Sequence, residues 1–320
     1  MSHKKILAND GIDPAGKKIL ENAGFEVYTE KVKQDDLAQY IVAHHIGVLT
    51  VRSATQIRKD LIDACAGLKI IGRGGVGMDN IDVEYARNKG KYVLNTPAAS
   101  SHSVAELVMG HLYSMVRGLA QSNREMPAGA GSSFENLKKK FSAAGIELRG
   151  KTLGIIGFGR IGQSLASIAL GSGMQVMAYD PYVQEAMVEI HISGHQEPVR
   201  VKIGTGALED LYRKSDFISA HVPGGKLIGA AEIGLMKDGV MLVNASRGGV
   251  IDENDLLDAL NTGKVSMAAL DVFMNEPQPS PALLLHPNVS VSPHIGASTK
   301  EAQERVGTEL ANLIIHHWER

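Results

Sequence analysis

A glycine turn in the middle of the chain, Gly157-Phe158-Gly159-Arg160-Ile161-Gly162, follows the apolar run Leu153 to Ile156, and Asp180 stands 18 positions past its last glycine. In a strand-turn-helix unit of this kind the first glycine permits the tight turn and the second lets the backbone approach a pyrophosphate. The third lets helix and strand pack closely. The pattern predicts a dinucleotide-binding unit with a parallel sheet. Asp180 ends the next apolar run, where a carboxylate would bond the adenosine ribose hydroxyls and repel a 2′-phosphate, so the expected cofactor is NAD rather than NADP. The bland alternative makes Asp180 a cap or turn residue ahead of Pro181. A fingerprint near residue 157 of 320 leaves about half the chain in front of it with some other task.

At 320 residues the chain has room for two domains, each with a full core. Its 44% hydrophobic and 21% charged content is ordinary for a soluble globular protein, and no apolar run approaches the roughly 20 residues that cross a bilayer. The start, Met1 to Leu7, has no signal-peptide segment, and Cys65 is the single cysteine, so a reducing cytoplasm is expected. A formal charge of −2 argues against nucleic acid. The adjacent pairs His44-His45 and His316-His317 lack the one-face spacing of helical zinc ligands, so no metal is expected.

The first hundred residues alternate short apolar runs (Ile6 to Ala8, Val48 to Val51, Lys69 to Gly72, Tyr92 to Asn95) with amphipathic segments such as Pro14 to Ala23 and Gln56 to Cys65. That alternation predicts strand-helix units in a second parallel sheet. The polar stretch Thr96 to Ser103 then precedes an apolar helix from Val104 to Ala120. Beyond it, Pro127 to Ser133 and Lys138-Lys139-Lys140 read as a surface loop and a solvated helix end. After the fingerprint, strands are expected at Gln175 to Tyr179, Asp216 to Ala220, Val240 to Asn244, Val265 to Leu270 and Val289 to Val291. His191 to Ile203 is expected to be a surface hairpin. A final helix, Thr299 to Trp318, is assigned back to the first domain. The expected architecture is α/β, two doubly wound parallel-sheet domains, with residues 99–292 binding the dinucleotide and inserted into a substrate domain of residues 1–98 and 293–320. The helix Val104 to Ala120 is more continuously apolar than a surface helix requires, which predicts a homodimer through the cofactor domain.

Three ionisable residues fall at or after ends of later strands: Arg247, Glu276 and His294. Hydride transfer from an alcohol needs a base for the hydroxyl proton, a cation for the substrate's anionic group, and a group that holds the base in a useful protonation state. Histidine, arginine and glutamate fill those roles. Taken singly each has a bland alternative: a surface ion pair, a turn residue before proline, a satisfied buried histidine.

Taken together, Asn244-Ala245-Ser246-Arg247-Gly248-Gly249, Leu270-Asp271-Val272-Phe273-Met274-Asn275-Glu276-Pro277 and Ser292-Pro293-His294-Ile295-Gly296-Ala297-Ser298-Thr299 resemble the D-isomer-specific 2-hydroxyacid dehydrogenases. Val51 to Thr55, Gly72 to Asp82 and Ser298 to Gln303 are most similar to the branch that oxidises 3-phospho-D-glycerate. The resemblance implies a Rossmann cofactor domain and a flavodoxin-like substrate domain. It implies that Arg247 binds the carboxylate and carbonyl oxygen, that His294 is the acid/base and that Glu276 orients it. Asp271 and His294 would line the nicotinamide end, Arg160, Ile161, His221, Val222 and Pro223 would contact the rest of the cofactor, and Ala245, Arg247 and Gly296 would also touch it. Gly74, Gly75 and Val76, with Ser53, would hold the substrate, their N–H groups forming an anion nest. Arg52 and Arg73 become candidates for a substrate phosphate, where an arginine fork suits the geometry.

The implied reaction is NAD-dependent oxidation of 3-phospho-D-glycerate to 3-phosphohydroxypyruvate, the first step of serine synthesis. The alternatives are a dehydrogenase for glycerate, glyoxylate or hydroxypyruvate, or D-lactate, or an NAD-sensing corepressor of the same fold. The chain departs from the family pattern in the short connection Gly224-Gly225-Lys226 and in the stretch His191 to Ile203. Many members of the phosphoglycerate branch carry a serine-binding domain after this core. The sequence given stops at Arg320, so serine feedback through such a domain is expected to be absent.

Overall fold

The computed structural model describes residues 4–128 and 134–319. The chain divides into two compact units, Met1–Ser100 with Ala297–Arg320, and Ser101–Gly296.

The first unit runs β1 (Lys5–Ala8), α1 (Pro14–Asn22), β2 (Glu26–Tyr28), α2 (Leu37–Ala43), β3 (Val48–Val51), α3 (Lys59–Ala64), β4 (Ile70–Arg73), α4 (Val83–Asn88) and β5 (Tyr92–Asn95). Its strands pair in parallel in the order β2-β1-β3-β4-β5. The apolar runs are continuous because both faces of the sheet are covered. Leu7, Leu49, Val51 and Ile71 pack with Leu37, Ile41, Leu61 and Ile62 on one side, and their neighbours Ile6, Val48 and Ile70 pack with Leu20 on the other. The helix expected from Gln56 begins at Lys59, since Ile57 forms an isolated bridge with Ile81 before it. The edge strand β2 is three residues long and starts on an exposed glutamate, which leaves no apolar run to read.

The second unit begins with α5 (Ser101–Val116), α6 (Leu119–Ala128) and α7 (Phe134–Ala144). It continues as β6 (Thr152–Ile156), α8 (Arg160–Gly171), β7 (Gln175–Tyr179), β8 (Glu185–Ile190), β9 (Val199–Gly204) and α9 (Leu208–Lys214). Then come β10 (Phe217–Ala220), α10 (Ala230–Leu235), β11 (Val240–Asn244), α11 (Glu253–Thr262), β12 (Val265–Leu270), α12 (Pro281–Leu284) and β13 (Val289–Val291). Among the described residues its main sheet has six parallel strands in the order β13-β12-β11-β10-β6-β7. The order reverses beside β6, which puts the fingerprint at the carboxyl end of a strand next to a switch point, where such sheets bind ligands. Both units are therefore doubly wound α/β sheets, as the alternation in the sequence implies.

Three expectations change. The helix expected over Val104 to Ala120 starts at Ser101 and stops at Val116, because Gly118 takes a left-handed φ of +60° and the chain turns into α6. The apolar face of α5 is covered within its own unit, where Ala105, Val108, Met109, Leu112, Met115 and Val116 share a core with Leu165, Ala166 and Ala169 of α8. Its apolar length is thus accounted for without a second chain. The hairpin expected at His191 to Ile203 is longer and not merely superficial: β8 pairs antiparallel with β9, and Val188 and Ile203 are buried in that same core. Lys138 to Lys140 lie inside α7 rather than at its end. The expected loop from Pro127 extends into residues 129–133, which lie outside the described residues.

The last helix, α13 (Lys300–Trp318), belongs to the first unit and is capped by Thr299, whose hydroxyl accepts from the Ala302 N–H at 3.2 Å. Its buried residues Ala302, Val306, Leu310, Ala311 and Ile314 recur at helical spacing, and Leu310, Ala311 and Ile314 join Leu20 of α1 and the strand residues Ile6, Val48 and Ile70 in one core. The crossing with α1 is backbone on backbone. A Cβ added at Gly16 would stand 2.5 Å from the carbonyl oxygen of Gly307, so no side chain fits there. Among the described residues no helix is long and apolar enough to cross a membrane.

Candidate active site

The three fingerprint glycines have distinct environments. Gly157 takes φ +92°, and a Cβ on it would lie 2.3 Å from the His221 carbonyl oxygen. Gly162 lies against the turn, a Cβ there falling 2.3 Å from the Gly157 oxygen. Around Gly159 there is no heavy atom within 4 Å of an added Cβ. Two glycines thus close the turn on itself, and the middle one leaves open space over the start of α8. Gly159 is also the N-cap and supplies no side-chain acceptor, so the first N–H groups of a twelve-residue helix are left for a ligand. Open space, unpaired N–H groups and the positive end of a helix dipole fit a pyrophosphate. Arg160 is exposed and Ile161 half-buried beside that space.

Asp180 serves the turn as well as facing it. Its Oδ2 accepts from the Phe158 N–H at 2.7 Å, and its Oδ1 accepts from the N–H groups of Tyr182 and Val183 at 2.8 and 3.0 Å. The carboxylate joins the ends of β6 and β7, which is the turn-residue reading. His221, Val222 and Pro223 follow β10 and pass directly over Gly157. His221 Nε2 pairs with the Ser219 hydroxyl at 2.9 Å, whereas its Nδ1 is sealed from solvent with no hydrogen-bond partner among the described residues. Burial pulls this imidazole down to about 4, which keeps it neutral at ordinary pH. The short connection through Gly224 and Gly225 is tied down by Lys226, whose ammonium donates to Asp252 and Asp255 at 2.9 and 3.2 Å.

The second half of the sheet supplies the ionisable groups. After β11, Asn244 organises its own loop: its Oδ1 accepts from the Ser246 N–H and hydroxyl, and its Nδ2 donates to the Arg247 carbonyl at 2.8 Å. Arg247 Nη1 in turn donates to the Ser246 carbonyl at 2.7 Å, and Ala245 and Arg247 are partly exposed. Gly248 lets this loop meet the next one, since a Cβ there would lie 2.0 Å from the Phe273 oxygen. After β12, Glu276 Oε1 accepts from the Phe273 N–H at 2.9 Å, and its Oε2 accepts from His294 Nδ1 at 2.7 Å. The histidine side chain is half exposed (52%), and the bond at Nδ1 leaves Nε2 as the nitrogen available to a substrate.

Asp271, expected to line the cofactor site, follows β12 directly. It is 2% exposed, and its carboxylate accepts from Ser292 Oγ at 2.6 Å and from the N–H groups of Ile295 and Gly296 at 2.9 Å each. Those three bonds commit it to the backbone that carries His294. Gly296 has room for nothing larger, a Cβ standing 3.1 Å from Asp271 Oδ2.

In the first unit, the loop after β3 is organised by Asp10, which accepts from the Arg52 and Thr55 N–H groups at 2.8 and 3.1 Å and from the Thr55 hydroxyl. Burial acts to raise this carboxyl, but the Lys31 ammonium, Thr55 and the Arg52 N–H hold it below the usual range. Ser53 is exposed, and the Arg52 guanidinium has no hydrogen-bond or ion-pair partner among the described residues. The expected anion nest is only partly available. Gly74 N–H donates to the Val51 carbonyl at 2.9 Å, and Gly75 N–H donates to Thr96 Oγ1 at 2.8 Å. Of the three N–H groups, that of Val76 alone is without an acceptor among the described residues. Gly75 still needs to be glycine for its φ of +136°, and Arg73 Nη1 donates back to the Gly74 carbonyl at 3.1 Å. Asp10, Thr96 and Asn244 escaped sequence reading because each acts through loop geometry. Among the described residues no cluster of three His, Cys, Asp or Glu side chains is arranged to hold a metal.

Residues 109–296 match the family model described as D-isomer specific 2-hydroxyacid dehydrogenase, NAD binding domain. The chain is 42% identical over 322 residues to a hydroxypyruvate reductase of Thermotoga maritima, covering 98% of each. It is 43% identical over 318 residues to a D-3-phosphoglycerate dehydrogenase of Methanocaldococcus jannaschii, covering 97% of this chain and 56% of that one. This chain therefore spans little more than half the length of that relative. An NAD+-bound 3-phosphoglycerate dehydrogenase of Entamoeba histolytica superposes with a TM-score of 0.77 at 27% identity, covering 100% of this chain and 96% of that one. The chain belongs to the D-isomer-specific 2-hydroxyacid dehydrogenase family. It is an NAD-dependent enzyme of that class.

Proposed function

We propose that the enzyme oxidises 3-phospho-D-glycerate to 3-phosphohydroxypyruvate, and reduces the ketone in the reverse direction, which would place it at the first step of serine synthesis. The observation that carries the phosphorylated substrate is the Arg52 guanidinium at the end of β3, which has no hydrogen-bond or ion-pair partner among the described residues while its backbone is fixed by Asp10. Arg73 is the second candidate for the phosphate, and the Val76 N–H is the group of its loop that can donate to a carboxylate. NAD, when bound, would supply the acceptor for the hydride of C2. His294 Nε2 accepts the hydroxyl proton as the carbonyl forms, and the Glu276 carboxylate stabilises the resulting imidazolium. Arg247 holds the substrate's carboxylate and the oxygen that changes from hydroxyl to carbonyl. Asp180 selects NAD through the ribose hydroxyls.

A second reading has its own support. The full-length match to a hydroxypyruvate reductase favours an unphosphorylated three-carbon substrate. Initial rates with 3-phosphoglycerate against D-glycerate, and with 3-phosphohydroxypyruvate against hydroxypyruvate, decide between them. A kcat/KM at least tenfold higher for the phosphorylated member of each pair is the expected result; equal or reversed ratios would overturn the phosphoglycerate assignment. The homodimer belongs to the same proposal, supported now by the exposed side chains of Tyr113, Leu119, Met126, Phe134 and Ile146 rather than by the buried face of α5. Light scattering tests it, and a monomer would remove it.

A further inference from the structure

His294 sits in the left-handed region, with φ +54°, a conformation that a non-glycine residue holds only when its surroundings impose it. The imposition comes from both sides. Its own N–H donates to the Ser292 carbonyl at 3.1 Å, and the two N–H groups that follow it are held by Asp271. The Asp271 carboxylate is in turn met by the Ser292 hydroxyl, and behind that hydroxyl lies His111 of α5. His111 is buried (7%), with Nε2 3.0 Å from Ser292 Oγ and Nδ1 3.0 Å from Ser290 Oγ.

The proton positions follow from the acceptor at the end. Ser292 spends its single hydrogen on the Asp271 carboxylate, so His111 must donate from Nε2 and receive the Ser290 hydroxyl at Nδ1. Burial draws the His111 imidazole below its ordinary value, against a smaller pull upward from Asp271, and the neutral ring has the one donor and one acceptor that this chain of bonds needs. Ser290, His111 and Ser292 thus form a directional relay that ends on the carboxylate holding the His294 turn.

We propose that His111 is a positioning residue of the dehydrogenase site, fixing through Ser292 and Asp271 the backbone turn from which His294 projects. The inference rests on His294 being the acid/base. A buried histidine can also be retained for packing alone, and the two roles separate by substitution. His111→Leu fills the volume and cannot bond, whereas His111→Gln can donate to Ser292 and accept from Ser290.

The test is steady-state reduction, with NADH, of hydroxypyruvate or 3-phosphohydroxypyruvate, whichever the wild type turns over faster, at matched folded content by circular dichroism. His111→Leu is expected to lower kcat by about 10- to 100-fold, the range that a displaced catalytic group produces, and His111→Gln to recover to within about threefold of wild type. A kcat within twofold of wild type for His111→Leu, or equal losses in both variants, overturns the proposal. Should His111→Leu fail to fold, Ser292→Ala removes the same link and is expected to lose kcat to the same degree; unchanged turnover there overturns it equally. His294→Ala is measured in parallel. If it keeps turnover the acid/base assignment falls and this inference with it. If it is inactive while His111→Leu is normal, the relay alone is refuted.

Discussion

Glu276 receives two donors on its two oxygens, His294 Nδ1 at 2.7 Å and the Phe273 N–H at 2.9 Å, so the carboxylate that orients the histidine is itself locked to the strand end behind it. An amide cannot copy this, because one of its two atoms is a donor. Glu276→Gln is expected to lower kcat by about 10- to 100-fold, as the imidazole loses the acceptor that orients it. A kcat within twofold of wild type would show that the pair is structural.

The fingerprint glycines divide into one that leaves space and two that fill it. Gly159→Ala adds a methyl where no protein atom lies within 4 Å. Its melting temperature is expected to stay within about 1 °C of wild type while the NADH dissociation constant, read by fluorescence titration, rises at least tenfold. Gly162→Ala drives a Cβ to 2.3 Å from the Gly157 oxygen and is expected to lower the melting temperature itself. If Gly159→Ala bound NADH normally, the open space over α8 would have no part in holding the cofactor.

The phosphate assignment makes a prediction about ratios rather than rates. Arg52→Ala should raise the KM for 3-phosphohydroxypyruvate by about tenfold or more and leave that for hydroxypyruvate within about twofold, since an arginine-phosphate bond exists only with the first. Arg73→Ala should do the same if it shares the phosphate. Equal effects on both ketones would exclude either residue from that role.

Stability should fall in mildly acid solution. His221 titrates near 6.5 when unfolded and at about 4 when folded, because burial disfavours its charged form. Between those values the unfolded chain binds the extra proton, so the stability contribution is complete above pH 6.5 and is lost as pH falls toward 4. The loss is at most about 3 kcal/mol. Thermal melts of wild type and His221→Gln across that window check it; parallel curves for the two proteins would contradict the assignment.

Gly16→Ala is expected to destabilise the first unit sharply, because its Cβ would meet backbone atoms of Gly307 at 2.5 to 2.8 Å and backbone cannot move aside as a flexible side chain can. Denaturant melts followed by the fluorescence of Trp318, the single tryptophan of the chain, report on this unit directly, since its ring packs edge-on against Phe25. A midpoint equal to that of wild type would show that the crossing can relax.

The sheets were legible in the sequence because parallel strands buried on both faces are short continuous apolar runs, as at Val48 to Val51 and Leu153 to Ile156. The segments that escaped lack that signal. Residues Glu26–Tyr28 contribute one short edge strand, and Glu185–Ile190, with glutamates at two of its six positions, lies in a hairpin that is half exposed. The end of α5 was hidden because Leu119 and Ala120 extend the apolar composition past the glycine that breaks the helix. Arg247, Glu276 and His294 stood out by residue type and motif. Asp271, Asn244 and His111 act through hydrogen bonds to backbone or to other buried side chains, and nothing in the linear sequence distinguishes His111 from the apolar residues around it.

The pairing of α1 with α13 sets an order of events during synthesis. Residues 101–296 are contiguous, so the cofactor-binding unit can acquire its core while later residues are still being added. The first unit cannot. Leu20, Ile6 and Val48 stay without their partners Leu310, Ala311 and Ile314 until synthesis has reached residues 310–314, and the apolar face of a nascent parallel sheet stays uncovered for that interval. The segment at greatest risk of aggregation during synthesis is therefore residues 5–95, and a helper that binds exposed apolar strands would act there.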